Sequence, residues 1–244
     1  MNEFVELWTY LSATPLFGLS ATMVVYVLTL ALYQRFDQTP WLNPVLWSIV
    51  ALAALLWLLN TPYQQYFAGA QFIHFLLGPA VVALAWPLWL RRGELKRHAS
   101  ALVLAGLGGG VVSALSAFGL AWWLGVPDAV ARSLLPKSVT APVAMGLADS
   151  IGAIAELAAI FAVLSGLIGA LLARSIFRVL GEGVTQAAWL RRGFALGTVS
   201  HGIGAARALQ VSHQAGAYAG LALATQVILA SIWIPLFGRW VGFS

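Results

Sequence analysis

Cysteine is absent from the 244 residues, which removes disulfides, thiolate catalysis and cysteine-ligated metals together. Charge is scarce as well: only 9% of the residues are Asp, Glu, Lys or Arg, against about 25% in an ordinary soluble domain. Thirteen basic and eight acidic residues cannot cover a globule of this size with water-compatible surface, so a soluble enzyme and a disordered chain are both excluded. The first residues, Met1-Asn2-Glu3-Phe4-Val5-Glu6, hold two acids and lack the Lys or Arg of a cleavable signal peptide. What is present is 61% hydrophobic sequence, which makes the chain a polytopic membrane protein. The net charge of +5 then reports topology rather than nucleic-acid binding.

A membrane-crossing helix needs roughly 20 mainly apolar residues. Read with that window, the sequence predicts an all-α architecture of about seven spans, at 15–33, 41–60, 71–90, 99–124, 150–173, 193–210 and 214–238. Trp41, Trp57, Trp86, Trp89, Trp122, Trp123, Trp189 and Trp240 lie near proposed boundaries, where an indole favours the headgroup level; Trp47 and Trp233 are read as helix-packing residues. Arg35, the Arg91–Arg97 cluster and the set Arg174, Arg178, Arg191 and Arg192 mark three loops as cytoplasmic. With seven spans this puts the N-terminus outside and the C-terminus inside an inner membrane.

Residues 127–149 do not fit that scheme. They are too apolar for a water-exposed loop and too broken by Pro127, Pro136 and Pro142 for a regular span, so they are expected to form a re-entrant or discontinuous element, with its free backbone groups met by protein or a water-filled cavity. Two further runs break helix regularity: Leu77-Gly78-Pro79-Ala80, and the stretch from Gly197 through Thr198, Ser200 and His201 to Arg207. A weak echo between 78–85 and 141–148 suggests an inverted-repeat transporter. Spacings of small residues four apart (Gly106 and Gly110, Ser165 and Gly169, Gly193 and Gly197, Gly216 and Gly220) point to closely approaching helices, in a tight bundle or a homo-oligomer taken as a dimer.

A charge at the middle of a membrane helix costs roughly 2.5 to 3.5 kcal/mol on insertion scales. In a chain this poor in charge, Lys137 and Arg207 are therefore candidates for pairing or function. Lys137, Ser138 and Thr140 beside Pro142 suit a carboxylate: an ammonium, two hydroxyls, and backbone N–H groups at a helix start. In a helical turn Lys137 and Thr140 share a face. Thr198, Ser200, His201 and Arg207 are the second half of the candidate site, with His201 able to change protonation near neutral pH. Asp149 and Glu156, seven apart, would align on one helix face as proton carriers or as neutralising partners of Lys137 and Arg207. His74 and His98 are read as structural. No zinc-protease, G-x-S-x-G or nucleotide-loop pattern occurs, so neither an enzymatic role, a cofactor nor a metal is expected.

At these residues the chain resembles the LrgB/CidB family of bacterial membrane proteins. The resemblance runs from Leu42-Asn43-Pro44 through Tyr66–Gln71 and Phe75–Ala80 to Pro136-Lys137-Ser138-Val139-Thr140 and Ser200-His201-Gly202-Ile203-Gly204, the last two being the specific motifs. Where the family usually carries further hydroxyl residues, Ala141 and Ala205 stand here. The resemblance implies two roles. Bacterial members are named as antiholin-like regulators of murein hydrolase export and autolysis, with a small holin-like LrgA/CidA protein as partner; a plastid relative exports glycolate and glycerate, and bacterial members are linked to pyruvate. The function expected from residues and resemblance together is secondary transport of small monocarboxylate anions coupled to protons or another cation. The alternative is an antiholin-like regulator that transports nothing.

Overall fold

A computed structural model describes residues 16–36, 39–76, 79, 86, 89, 92–97, 99–181, 183 and 185–243. All regular structure among them is helical, and four helices are long and apolar enough to cross a membrane. The protein is an all-α membrane protein. Two compact units divide the chain, residues 1–80 and 81–244.

In the first unit, α1 (Leu16–Arg35), a 3-10 turn (Pro40–Leu42), α2 (Pro44–Leu58) and α3 (Tyr63–Phe75) follow in order. Asn43 caps α2 by accepting from the Val45 and Leu46 amides at 2.9 and 3.3 Å, with Pro44 in the first turn. The helix is 15 residues long, about 22 Å and short of the roughly 30 Å hydrocarbon layer. Hydroxyl pairs tie α1 to its neighbours: Thr29 to Ser48 at 2.8 Å and Thr22 to Tyr66 at 2.8 Å. Gly18 lies directly against the Tyr66 carbonyl, leaving no room for a side chain. The span expected at 71–90 begins earlier, with α3, and most of its later residues lie outside the described ones, as do Leu77, Gly78 and Ala80 of the first helix-breaking run, most of the echo at 78–85, the His74 side chain and His98.

The second unit contains α4 (Arg92–Arg97), α5 (Ala99–Trp123), α6 (Asp128–Arg132), α7 (Ala141–Ser150), α8 (Ala155–Val179), α9 (Gln186–Val211) and α10 (His213–Val241). Helices α5 and α10 run parallel. Leu102 clusters with Leu221 and Ala222, Gly106 faces Thr225 and Leu229, and Phe118 meets Phe243 edge-on at 5.8 Å. The small residues are what let these helices touch: Gly110 abuts the Gln226 side chain, and Gly193 and Gly197 lie against the backbone of Ala215 and Ala219. Most of the small-residue spacings thus serve packing within the chain, while Gly220 faces open space.

The break at 127–149 is observed. Helix α6 ends at Arg132, consecutive turns carry the chain through residues 133–138, and α7 leads back until the Ile154 amide donates to Ser133 Oγ at 2.9 Å. Leu135, Val139, Ala144, Leu147, Ala148 and Ile151 are buried against Ala114, Ala158, Ala162, Ala230 and Ile234. Irregular backbone is therefore enclosed by protein, as membrane depth demands. Arg132 stacks over Phe243, so this element opens at the end of the unit where α10 finishes.

Two expectations are corrected. The stretch 193–210 is not one straight crossing. Backbone angles of φ 40 and ψ −130 at His201 interrupt α9; Leu196 and Ala208 share one cluster with Ala215, and Gly204 lies against the Leu196 carbonyl. A straight helix would hold residues twelve apart about 18 Å from each other. The chain instead reverses at His201, forming a helical hairpin that opens at the end where α10 starts. Secondly, Asp149 and Glu156 do not share a helix: α7 ends at Ser150, the chain turns through 151–154, and Glu156 stands in the first turn of α8. Both acids are exposed, and among the described residues neither makes an ion pair. Trp47 also departs from its reading, being 42% exposed with its indole N–H donated to the Trp41 carbonyl.

Candidate functional site

Lys137 lies in the run of turns before α7, half-buried, and its Nζ donates to Ser113 Oγ at 2.5 Å. Ser113 in turn shares a hydrogen bond with Ser138 at 2.9 Å. One ammonium and two hydroxyls thus form a connected group between α5 and the broken element. None of Asp128, Asp149 or Glu156 pairs with Lys137. Thr140 begins α7 without capping it, and its Oγ1 is buried with no hydrogen-bond partner among the described residues. The sharing of a helical face by Lys137 and Thr140 is not observed, because the backbone between them is a series of turns ending in an extended residue. Pro142 falls in the first turn of α7, where its missing N–H costs no helical hydrogen bond.

The second group sits at the tip of the α9 hairpin. Thr198, Ser200 and His201 are all buried. Thr198 donates to the Phe194 carbonyl at 2.9 Å, and the His201 ring, through Nε2–H, donates to the Ala162 carbonyl of α8 at 2.7 Å. Ser200 Oγ has no partner among the described residues and presses directly on Gly169. Gly166 is bare beneath the imidazole: a Cβ there would lie 2.8 Å from its Cε1. A left-handed backbone at a non-glycine residue costs of the order of 1–3 kcal/mol and concentrates at sites where structure is over-determined for a purpose.

Helix α5 connects the two groups. Gly109 faces the Thr198 methyl, with 3.3 Å left for a Cβ, and Ser113 holds Lys137 and Ser138. These residues are one turn apart, about 6 Å along the axis, and straddle the middle of Ala99–Trp123. Two breaks that open at opposite ends of the unit therefore end on adjacent turns of one helix, the first at Ser113 and the second at Gly109. A cavity of about 410 Å³, lined by Ala101, Leu102, Ala105 and Gly109 on one side and Arg191, Phe194 and Thr198 on the other, leads along α5 towards those turns. Arg207 belongs elsewhere: it is on the returning limb of the hairpin, bonded to Gln210 at 3.2 Å, and lines a different cavity.

Sequence reasoning missed Ser113 and Gln226. Ser113 follows the small-residue run ending at Gly110, where it reads as one more packing residue. Gln226 is 2% exposed in α10 with its Oε1 unpartnered among the described residues; an amide inside an apolar helix was a readable signal.

A family model for the LrgB-like family matches residues 22–240. The chain belongs to the LrgB-like family. The match covers nearly all of the chain and includes every residue of both groups. Among individual relatives, the chain is 32% identical over 224 residues to the uncharacterized protein YxaC of Bacillus subtilis, covering 88% of this chain and 91% of the relative. It is 27% identical over 236 residues to the holin-like protein CidB of Staphylococcus epidermidis, covering 97% of both, and likewise to the holin-like protein CidB of Staphylococcus aureus. No solved structure matches.

Proposed function

We propose that this LrgB-like protein acts as an antiholin-like membrane protein that works with a small holin-type membrane partner of the LrgA/CidA kind and restrains murein hydrolase export. The observation that carries this reading is the full-length similarity to holin-like CidB proteins. Co-expression with such a partner and purification through a tag on one of them tests it. Co-purification, together with faster autolysis of cells lacking this protein, is the expected result; solitary purification and unchanged autolysis overturn it.

A second reading, passage of small monocarboxylate anions such as glycolate, glycerate or pyruvate, has its own support. Lys137 is a cation with hydroxyl partners and no pairing carboxylate among the described residues, held from a run of turns against Ser113 near the middle of α5. A carboxylate would take the ammonium and the hydroxyls of Ser138 and Thr140, and the tip residues Thr198, Ser200 and His201 would complete the enclosure from the other side. Proton coupling would fall to His201, which is buried, whereas Asp149 and Glu156 are exposed. Uptake of labelled glycolate or pyruvate by proteoliposomes tests this reading. No uptake of any small acid leaves the regulatory reading alone.

Neither reading is enzymatic. Lys137 beside Ser113 has the composition of a Ser–Lys nucleophile pair, so covalent labelling of Ser113 by a fluorophosphonate would count against a purely non-catalytic role.

A further inference from the structure

We infer that the cavity at the open end of the α9 hairpin is a binding site for the phosphate group of an anionic phospholipid. The cavity measures about 700 Å³ and lies wholly within the second unit, between the end of α8, both limbs of the hairpin and the start of α10. Arg174, Arg178, Arg192 and Arg207 line it, and none of its described lining residues is acidic. These arginines come from three separate stretches of sequence and converge only because the chain reverses at His201.

The chemistry of the walls selects the ligand. Guanidinium groups present paired N–H donors that match phosphate oxygens two at a time and carry their charge at every physiological pH. Arg192 is held in place by two aromatic faces, 5.0 Å from the Trp189 ring centroid and 5.2 Å from that of Phe177. Beneath the cationic rim the walls are alanine, leucine and valine side chains, a surface for acyl chains that a free inorganic anion would leave uncovered. Trp189, also in the lining, is a residue type that favours the headgroup level of a bilayer. Basic pockets between helices at a membrane face recognise lipid headgroups by this combination of charge and apolar wall.

The experiment uses the whole chain purified in a zwitterionic detergent, with thermal unfolding and native mass spectrometry read against three probes: phosphatidylglycerol, phosphatidylcholine and inorganic phosphate. Phosphatidylglycerol is expected to raise the unfolding temperature and to stay bound in the gas phase, and phosphatidylcholine to do neither. R174Q/R178Q is expected to weaken phosphatidylglycerol binding about 30-fold and R207Q about fivefold, at roughly 1 kcal/mol per arginine. R35Q removes one positive charge from the other unit and should change nothing. Stabilisation by inorganic phosphate alone, lost in the same variants, supports the phosphate site and assigns it to a soluble ligand. Equal response to both lipids, undiminished binding in R174Q/R178Q and in R207Q, or an equal loss in R35Q overturns the site. Should the double variant fail to fold, R207Q decides.

Discussion

The second unit handles positive charge in two opposite ways. Lys137 is a single ammonium at the middle of the bundle, held by one serine and enclosed by the buried side chains of a broken element. The four arginines of the hairpin cavity stand together at the end of the bundle, with aromatic faces and an open cavity to share the charge. Repulsion among clustered guanidiniums is tolerable where water and anions reach them. A lone cation at the centre has no such relief, and keeping it there costs stability, so the two sites should respond differently to mutation.

The largest effect is expected at Lys137. Removing a charged hydrogen-bonding partner of a ligand costs about 1.5–3 kcal/mol, so K137M should cut anion uptake by about 10- to 150-fold while leaving the phosphatidylglycerol response intact. The same variant should raise the unfolding temperature, because methionine keeps the packing and relieves a half-buried charge; a lower unfolding temperature would show that Lys137 is structural. R207Q should do the reverse, weakening lipid binding and sparing uptake. A loss of uptake in R207Q, measured in the same liposomes, would merge the two sites into one.

Next in size is G169L. The leucine would strike Ser200 at the hairpin tip, and overpacking of this kind costs about 1–3 kcal/mol; circular dichroism melting should detect it, and G220L, where the structure leaves open space, should be near neutral. S113A removes the hydroxyl that holds the Lys137 ammonium but leaves the cation itself, and is expected to reduce uptake about three- to tenfold, short of K137M. The smallest net change is expected for H201G. Glycine accepts the positive φ and relieves of the order of 1–3 kcal/mol of strain, and losing the bond to Ala162 gives back about 1 kcal/mol. Melting that is clearly lower than wild type would show that the imidazole, rather than the backbone, holds the reversal.

The broken element was legible in the sequence because Pro127, Pro136 and Pro142 forbid a continuous helix whatever surrounds them. Lys137 was legible because a charge is conspicuous in apolar sequence. The reversal at His201 was not: no proline marks it, and Gly202 and Gly204 are also at home in straight membrane helices. The contacts that accompany it are tertiary, the imidazole on Ala162 and Ser200 on Gly169, and neither has a local signature. Ser113 escaped for a related reason, since only the arrival of Lys137 from another segment turns a small helix residue into a ligand. The alignment of Asp149 with Glu156 failed because the spacing argument assumed one helix where the chain turns at 151–154.

The hairpin also resets the sidedness of everything after it. A segment that enters and leaves by the same face adds nothing to the crossing parity, so α10 is expected to start at the arginine-rich face and to finish, at Val241, on the opposite one. If the arginines face the cytoplasm, as the positive-inside rule requires, the carboxyl end of the chain lies outside, not inside as seven crossings would have it. A phosphatase and a fluorescent-protein reporter, each fused after Ser244, read this out directly: phosphatase activity without fluorescence is the expected pattern, and the reverse pattern would mean that α9 crosses the bilayer after all.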